Sequence, residues 1–145
     1  MASPASTGTA GPSGSLVVVR TVDEVTSETF VRITADGSVT AYNGHVDLGT
    51  GIRTALGQIV AEELDVSFAR VVVVLGDTAL VPNQGATIAS ETIQITAVPL
   101  RKAAAQARQF LIARAAERLE HAVIADIEHD RLSHDQRARR PTATQ

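Results

Sequence analysis

Short apolar runs in the first half of the chain predict strands, and the turn residues between them predict how those strands connect. The predicted strands cover residues 16–20, 30–34, 38–42 and 70–75. Asp36 and Gly37 separate the second strand from the third, and an Asp-Gly pair is typical of a tight hairpin turn. The strand at residues 70–75 contains four consecutive valines, which predicts burial on both of its faces.

Apolar residues spaced three and four positions apart predict two helices in the remainder of the chain. The first covers residues 52–64, with Thr50 as a candidate N-cap. The second covers about residues 87–120, and Pro99 within it is expected to kink or divide that helix. Together these elements predict an α+β fold, a small mixed or antiparallel sheet with two main helices packed on it.

The composition divides the chain into one central domain and two termini. Residues 1–15 contain mainly Ala, Ser, Thr, Gly and Pro and predict a disordered leader. Residues 16–120 form the predicted domain. Residues 121–145 are expected to continue as helix and then become a disordered tail.

The overall composition excludes several classes of function. The 145 residues are 44% hydrophobic and carry a formal charge of −3, which favours one soluble globular domain and argues against nucleic acid as a partner. The absence of cysteine excludes disulfides, thiolate zinc sites and cysteine-ligated iron–sulfur clusters. Because neither a membrane span nor a secretory signal is visible, a cytoplasmic location is expected.

A glycine-framed loop at residues 44–51 leads directly into the first predicted helix. Backbone N–H groups are unpaired at a helix start, where the helix dipole is also positive, so such a loop is suited to an anion such as a phosphate or an oxo group. An ordinary strand-to-helix turn is the alternative, and the spacing alone favours it. Asp47 either orients this loop or is a plain surface carboxylate.

The loop and the segments after it resemble the large molybdenum-binding subunits of the xanthine dehydrogenase and aldehyde oxidase family. The loop reads GHVDLGTG, and the likeness extends over about residues 16–119. It is closest to the nicotinate and isoquinoline dehydrogenase branch. The further matching segments are residues 54–64, 70–71, 76–78, Pro82, 85–90 and 100–105. Each segment alone is a weak signal, but their shared order and spacing are specific.

This resemblance implies that two loops bind the molybdopterin cofactor, in its cytosine dinucleotide form. The cofactor-binding residues that it indicates are Leu48, Gly49, Thr50, Gly51, Thr87 and Ser90. For a whole enzyme of the family it implies hydroxylation of an N-heterocycle such as nicotinate, or of an aldehyde. The oxygen then comes from water, and the electrons leave through iron–sulfur clusters on a partner subunit.

Three departures from the family pattern bear on this chain. Thr50 replaces a glutamine whose amide lies near the oxo ligand of the metal, and Ala89 stands where many relatives have glycine. The chain is also several times shorter than the family subunit, so the resemblance implies that it does not include the segment that carries the catalytic glutamate. We therefore assign no catalytic residue and no metal ligand, and expect no cofactor on the isolated chain.

Two functional hypotheses remain open at this stage. In the first, the chain is a fragment or split piece that is inactive alone. It then contributes cofactor-binding loops in a complex with the remaining molybdenum-subunit segments and an iron–sulfur subunit. That hypothesis predicts an exposed apolar patch. In the second, the chain is a non-catalytic remnant or a small protein-interaction module.

Other candidate residues have ordinary interpretations. Glu62 and Glu63 diverge by about 100° around a helix axis and do not converge on one substrate. His45 is interpreted as a plain loop residue. The remaining histidines, at positions 121, 129 and 134, do not share one helix face, so a metal site there is not expected.

Overall fold

The computed structural model describes the backbone of residues 6–10, 15–21 and 27–138, and the side chains of residues 15–19 and 27–121. Five strands, two α-helices and two short helical turns form this part of the chain. In order they are β1 (Ser6–Ala10), β2 (Leu16–Thr21), β3 (Ser27–Ile33), β4 (Val39–Asn43), α1 (Ile52–Leu64), a 3₁₀ turn (Phe68–Arg70), β5 (Val71–Leu75), a π-helical turn (Thr92–Thr96) and α2 (Ala97–Ala138).

The strands form one sheet in the order β1-β2-β3-β4-β5. The first four strands pair antiparallel with their neighbours, whereas β5 runs parallel to β4, with Val71 opposite Val39. The connection between β4 and β5 contains α1, as parallel neighbours require a crossover. The predicted α+β class, with a mixed sheet and two main helices, is confirmed.

The predicted hairpin turn joins β3 to β4. Gly37 has a φ of +81°, a conformation that glycine adopts without strain. The Asp36 carboxylate accepts hydrogen bonds from the Thr34 hydroxyl at 2.5 Å and from the Ser38 amide at 3.1 Å. These hydrogen bonds lower the pKa of Asp36 to about 2, and the bond from Thr34 has the largest effect. The turn is therefore fixed by local chemistry that is visible in the sequence.

Both helices bury apolar side chains against the sheet. Leu56 and Val60 of α1 and Leu100 of α2 are fully buried, and they share one core with Phe30 and Val31 of β3. Small side chains on α2 allow it to approach this core closely. They are Ala97, Ala103, Ala104 and Ala107, each buried. The core is thus built almost entirely from aliphatic residues.

The prediction that both faces of the valine-rich strand are buried is wrong. Val73 is 5% exposed and packs in the core, but Val72 on the opposite face is 62% exposed. Within the described sheet β5 is the last strand, and α1 packs against it. Of the four valines only Val73 is buried, whereas Val71 and Val74 are half-buried and Val72 is exposed.

The expectation for the residues before β2 also requires correction. Residues 6–10 form β1, paired with β2, so the prediction of a disordered leader is wrong for these five residues. The remaining residues before Leu16, apart from Ser15, lie outside the described part of the chain.

The second helical segment begins later than predicted, at Thr92, and it is divided near Pro99 into a short π-helical turn and the long helix α2. A π-helical turn precedes α2, and Pro99 then occupies the first turn of α2. Proline has no N–H to donate, and it lies here close to the point where the π-helical turn passes into α2.

The chain divides into two units, residues 1–110 and residues 111–145. In the second unit α2 continues to Ala138. Residues 139–145 lie outside the described range. None of the helices in the described ranges is both long and apolar enough to cross a membrane.

Candidate functional site

Two loops at one end of the sheet are held together by hydrogen bonds between backbone and side chains. The first loop (residues 44–51) joins β4 to α1, and the second (residues 82–91) precedes the π-helical turn. The Gly44 amide donates to the Gln84 side-chain oxygen at 2.8 Å, and the Val46 amide donates to the Thr87 hydroxyl at 2.9 Å. Two segments some forty positions apart thus form one surface.

A cavity of about 350 Å³ lies between these two loops. Its lining consists of Val46, Leu48, Thr50, Ile52, Thr87, Ile88, Ala89, Ser90, Thr92 and Ile93. Four of the six residues indicated by the family resemblance line it, namely Leu48, Thr50, Thr87 and Ser90. The other two, Gly49 and Gly51, are exposed and border open space, because a Cβ atom at either would meet nothing within 4 Å.

The prediction of unpaired amides at the start of α1 is wrong for Arg53, because the Asp47 carboxylate pairs its amide together with two amides of the preceding loop. Asp47 Oδ1 accepts hydrogen bonds from the Gly49 amide at 2.9 Å and the Thr50 amide at 3.0 Å. Its Oδ2 accepts a hydrogen bond from the Arg53 amide at 3.2 Å. Hydrogen bonds from these amides hold the pKa of Asp47 below its ordinary value, and the bond from Arg53 has the largest effect.

Thr50 does not cap α1, contrary to the sequence prediction. Gly51 is the N-cap residue and has a φ of +75°. As a glycine it has no side chain that could form a capping hydrogen bond. The position of Asp47, shortly before the first helical residue, was the available signal for its role. Asp side chains commonly bond to backbone amides two or three residues later.

We expect the Asp47→Ala substitution to loosen the first loop and to lower stability, because three amides lose their acceptor. Acid acts in the same direction: the folded-state pKa is lowered, so this stabilisation is lost as pH falls through that pKa. Amide hydrogen exchange at Thr50 and Arg53 measures the effect.

Asp77→Ala is the matched control for this experiment, since Asp77 accepts a hydrogen bond from the Ala79 amide outside the first loop. The control is expected to leave exchange at Thr50 and Arg53 unchanged. Equal exchange at both amides in wild type and Asp47→Ala would show that the carboxylate does not hold the loop.

A buried polar network connects the end of β4 to the π-helical turn. The Asn43 amide nitrogen donates to the Thr96 carbonyl and lies 3.1 Å from the Thr96 hydroxyl, while Asn43 Oδ1 accepts from the His45 amide at 3.0 Å. Gln84 donates to the same Thr96 carbonyl at 3.1 Å. Asn43 is fully buried, and Thr96 is 4% exposed. This network fixes the second loop relative to the first.

His45 belongs to the same buried network, so its interpretation as a plain loop residue is wrong. Its ring is fully buried, and Nδ1 lies 2.8 Å from the hydroxyl of Thr92, which itself lines the cavity. Within the described residues, Nε2 is buried without a hydrogen-bond partner. In the sequence, only the short spacing between Asn43 and His45 pointed to this buried position of His45.

The second loop contains two consecutive non-glycine residues in the left-handed region. Ala89 has a φ of +51° and Ser90 a φ of +58°. This conformation costs an L-residue about 1–2 kcal/mol. Glycine adopts this conformation without that cost, so it would suit the position of Ala89.

We expect Ala89→Gly to raise the free energy of unfolding by about 0.5–1 kcal/mol, because the relief of strain exceeds the added flexibility of the unfolded chain. Chemical denaturation measures this difference. Ala86→Gly in the same loop is the control, since Ala86 has no positive φ, and it is expected to destabilise slightly. Destabilisation by both substitutions would contradict the strain at Ala89.

The chemistry of the cavity is neutral and hydroxyl-rich. Its polar side chains are Thr50, Thr87, Ser90 and Thr92, and its lining contains no lysine or arginine. In the described part of the chain, no group of three or more His, Asp or Glu side chains is placed to hold a metal ion. The residues present therefore fit a polar ligand that is held by hydrogen bonds among apolar walls.

Comparison with known proteins agrees with the resemblance seen in the sequence. The family model described as a molybdopterin cofactor-binding domain matches residues 4–144. A nicotinate dehydrogenase subunit of Pseudomonas putida is 61% identical over 110 residues, which cover 74% of this chain and 9% of that protein.

Two further relatives are more distant. A probable xanthine dehydrogenase subunit of Bacillus subtilis is 40% identical over 60 residues, covering 41% of this chain and 8% of the relative. The gamma subunit of the 6-hydroxypseudooxynicotine dehydrogenase complex of Paenarthrobacter nicotinovorans is 36% identical over 74 residues, covering 51% of this chain and 9% of the relative. The matched part of the chain thus spans less than a tenth of the length of each of these proteins.

Proposed function

Because this chain belongs to the molybdopterin cofactor-binding domain family, we propose that the cavity between its two loops holds part of the molybdopterin cofactor. The observation that carries this proposal is the convergence of both loops on that cavity. We propose as contact residues Leu48, Gly49, Thr50, Gly51, Thr87 and Ser90.

The fit to the cofactor rests on the hydroxyl groups of the cavity. Hydroxyls of Thr50 and Ser90 are suited to donate hydrogen bonds to oxygen and ring-nitrogen acceptors of a pterin. The absence of side chains beyond Cα at Gly49 and Gly51 leaves room for such a ligand at the mouth of the cavity. Because Asp47 occupies the amides of the first loop, a phosphate bound at the start of α1 is not part of this proposal.

The cofactor, when bound, supplies two-electron redox chemistry, and this chain supplies part of its binding wall. We propose that the wall works together with the remaining segments of a molybdenum subunit and with an iron–sulfur subunit. The named relatives are themselves subunits of dehydrogenases, which supports this arrangement. From the family resemblance we further propose that the cofactor is the cytosine dinucleotide form, and that the substrate is an N-heterocycle such as nicotinate, or an aldehyde.

Exposed apolar residues around the cavity support a role within a larger assembly. Leu48 is 74% exposed, Ile88 is 61% exposed and Ile93 is 43% exposed, and all three line the cavity. Apolar surface of this kind is expected where other protein segments pack. It corresponds to the exposed patch that the first hypothesis predicts.

The test is to purify the chain alone and together with the remaining segments of a molybdenum subunit of this family. Molybdenum is measured by mass spectrometry, and the pterin by fluorescence after oxidation. We expect both in the complex and neither on the isolated chain. A complex that forms without molybdenum and pterin overturns the proposal.

Matched variants locate the cofactor within the complex. Thr50→Val with Ser90→Ala is expected to reduce the pterin content, whereas Ser67→Ala, an exposed position outside the cavity lining, is expected to have no effect. Light scattering addresses the alternative of an interaction module. A stable homo-oligomer without affinity for the other segments would replace the proposal with that alternative.

A further inference from the structure

The tautomer of His45 determines the hydrogen-bonding role of Thr92. A neutral imidazole carries one N–H donor and one acceptor nitrogen. In His45, Nδ1 lies 2.8 Å from Thr92 Oγ1, whereas Nε2 is buried and has no partner within the described residues. A buried N–H without an acceptor is rarer in folded proteins than an acceptor without a donor. The proton therefore belongs on Nδ1, which donates to the Thr92 hydroxyl oxygen.

This assignment leaves the Thr92 hydroxyl proton available for another acceptor. The oxygen of Thr92 accepts from His45, so its O–H bond is directed away from the imidazole ring. Thr92 is only 8% exposed, and the surface that it does present lines the cavity between the two loops. A ligand in that cavity is the acceptor within reach.

The π-helical turn holds Thr92 in this position. The Thr96 hydroxyl donates to the Thr92 carbonyl at 3.0 Å, and the Asn43 side chain donates to the Thr96 carbonyl at 3.1 Å. The wide π turn is anchored at both ends, and such turns are frequent at functional sites. The donor is therefore fixed in place before any ligand arrives, which reduces the entropy cost of binding.

We propose that Thr92 donates a hydrogen bond to an oxygen or ring-nitrogen acceptor of the ligand in this cavity, and that His45 is a positioning residue that orients the Thr92 hydroxyl. The ligand identity rests on the proposed function, a pterin cofactor. The orientation of Thr92 by His45 rests only on the geometry of the buried network.

The first test measures the tautomer without any cofactor. Two-bond nitrogen–proton correlation spectra of the chain labelled with ¹⁵N-histidine distinguish protonated from unprotonated ring nitrogens. The His45→Asn variant assigns the His45 signals by their loss. We expect a protonated Nδ1 and an unprotonated Nε2. A proton on Nε2 overturns the proposal, because the Thr92 hydroxyl would then donate to His45.

The second test measures pterin retention in the complex with the remaining subunit segments. We expect Thr92→Val, which keeps the shape but removes the hydroxyl, to weaken pterin binding by about 3- to 10-fold. Thr92→Ser, which keeps the hydroxyl, is expected to bind pterin as the wild type does. His45→Asn, whose amide is suited to replace the Nδ1 donor, is expected to retain more pterin than His45→Leu.

The outcomes separate this inference from the proposed function. If the Thr92→Val variant retains as much pterin as the wild type, the donor role of Thr92 is overturned and the proposed function remains intact. Equal losses in Thr92→Ser and Thr92→Val also overturn it, since the hydroxyl would then be irrelevant. A wild-type complex that contains no pterin overturns the proposed function instead, and the tautomer measurement still decides the His45–Thr92 interaction.

Discussion

Replacing Leu100 with alanine is expected to lower the free energy of unfolding by about 2–5 kcal/mol. Leu100 is fully buried and belongs to the core that α1, α2 and the sheet share. The substitution removes apolar contacts and leaves a cavity that a packed core fills only in part. Chemical denaturation followed by circular dichroism measures the loss.

Leu119→Ala is the matched control on the same helix. Leu119 is 66% exposed, so the identical substitution is expected to change stability by less than about 0.5 kcal/mol. Similar effects of the two substitutions would show that α2 does not pack on the sheet through Leu100.

The Asn43→Asp substitution is expected to destabilise the chain by about 3 kcal/mol or more at neutral pH. The side chain is fully buried and donates to Thr96, and aspartate has the same shape but no amide hydrogens. The change removes a donor and places a carboxylate beside the Thr96 carbonyl oxygen. The loss loosens the connection between the two loops of the cavity as well as the fold.

The pH dependence of this variant gives a second readout. Burial raises the folded-state pKa of the introduced carboxyl, so the deficit shrinks as pH falls below that pKa and grows as pH rises through it. Thermal unfolding at about pH 4 and about pH 8 measures this trend. Asn83→Asp, at an exposed position, is the control and is expected to show neither effect. A deficit that is independent of pH would contradict the buried carboxylate.

Features governed by neighbouring residues could be predicted from the sequence. The turn at Asp36 and Gly37 depends on a few adjacent side chains, and α1 follows from its apolar spacing, so both were predicted at nearly correct positions. The convergence of the two loops followed from the resemblance, because the order and spacing of several segments specified it jointly. The cavity accordingly contains Thr50 from one loop and Thr87 from the other.

Features that depend on distant pairing could not be predicted in this way. The exposure of Val72 depends on β5 being the last strand of the described sheet, which the valine run itself does not specify. The role of His45 depends on Thr92, which lies 47 positions away. The pairing of Asp47 with the Gly49 and Arg53 amides was not predicted for a different reason. The prediction of an anion site rested on the glycine pattern alone and did not consider that a neighbouring carboxylate competes with an external anion.

The most direct measurement transfers this chain into one of its relatives. The aligned 110 residues of the nicotinate dehydrogenase subunit from Pseudomonas putida are replaced with their counterparts from this chain. Molybdenum and pterin are then measured in the purified chimera. We expect occupancy equal to that of the parent subunit, and reduced occupancy when the chimera also carries Thr50→Val and Ser90→Ala. A folded, assembled chimera that contains no pterin would contradict the claim that these two loops form a wall of the cofactor site.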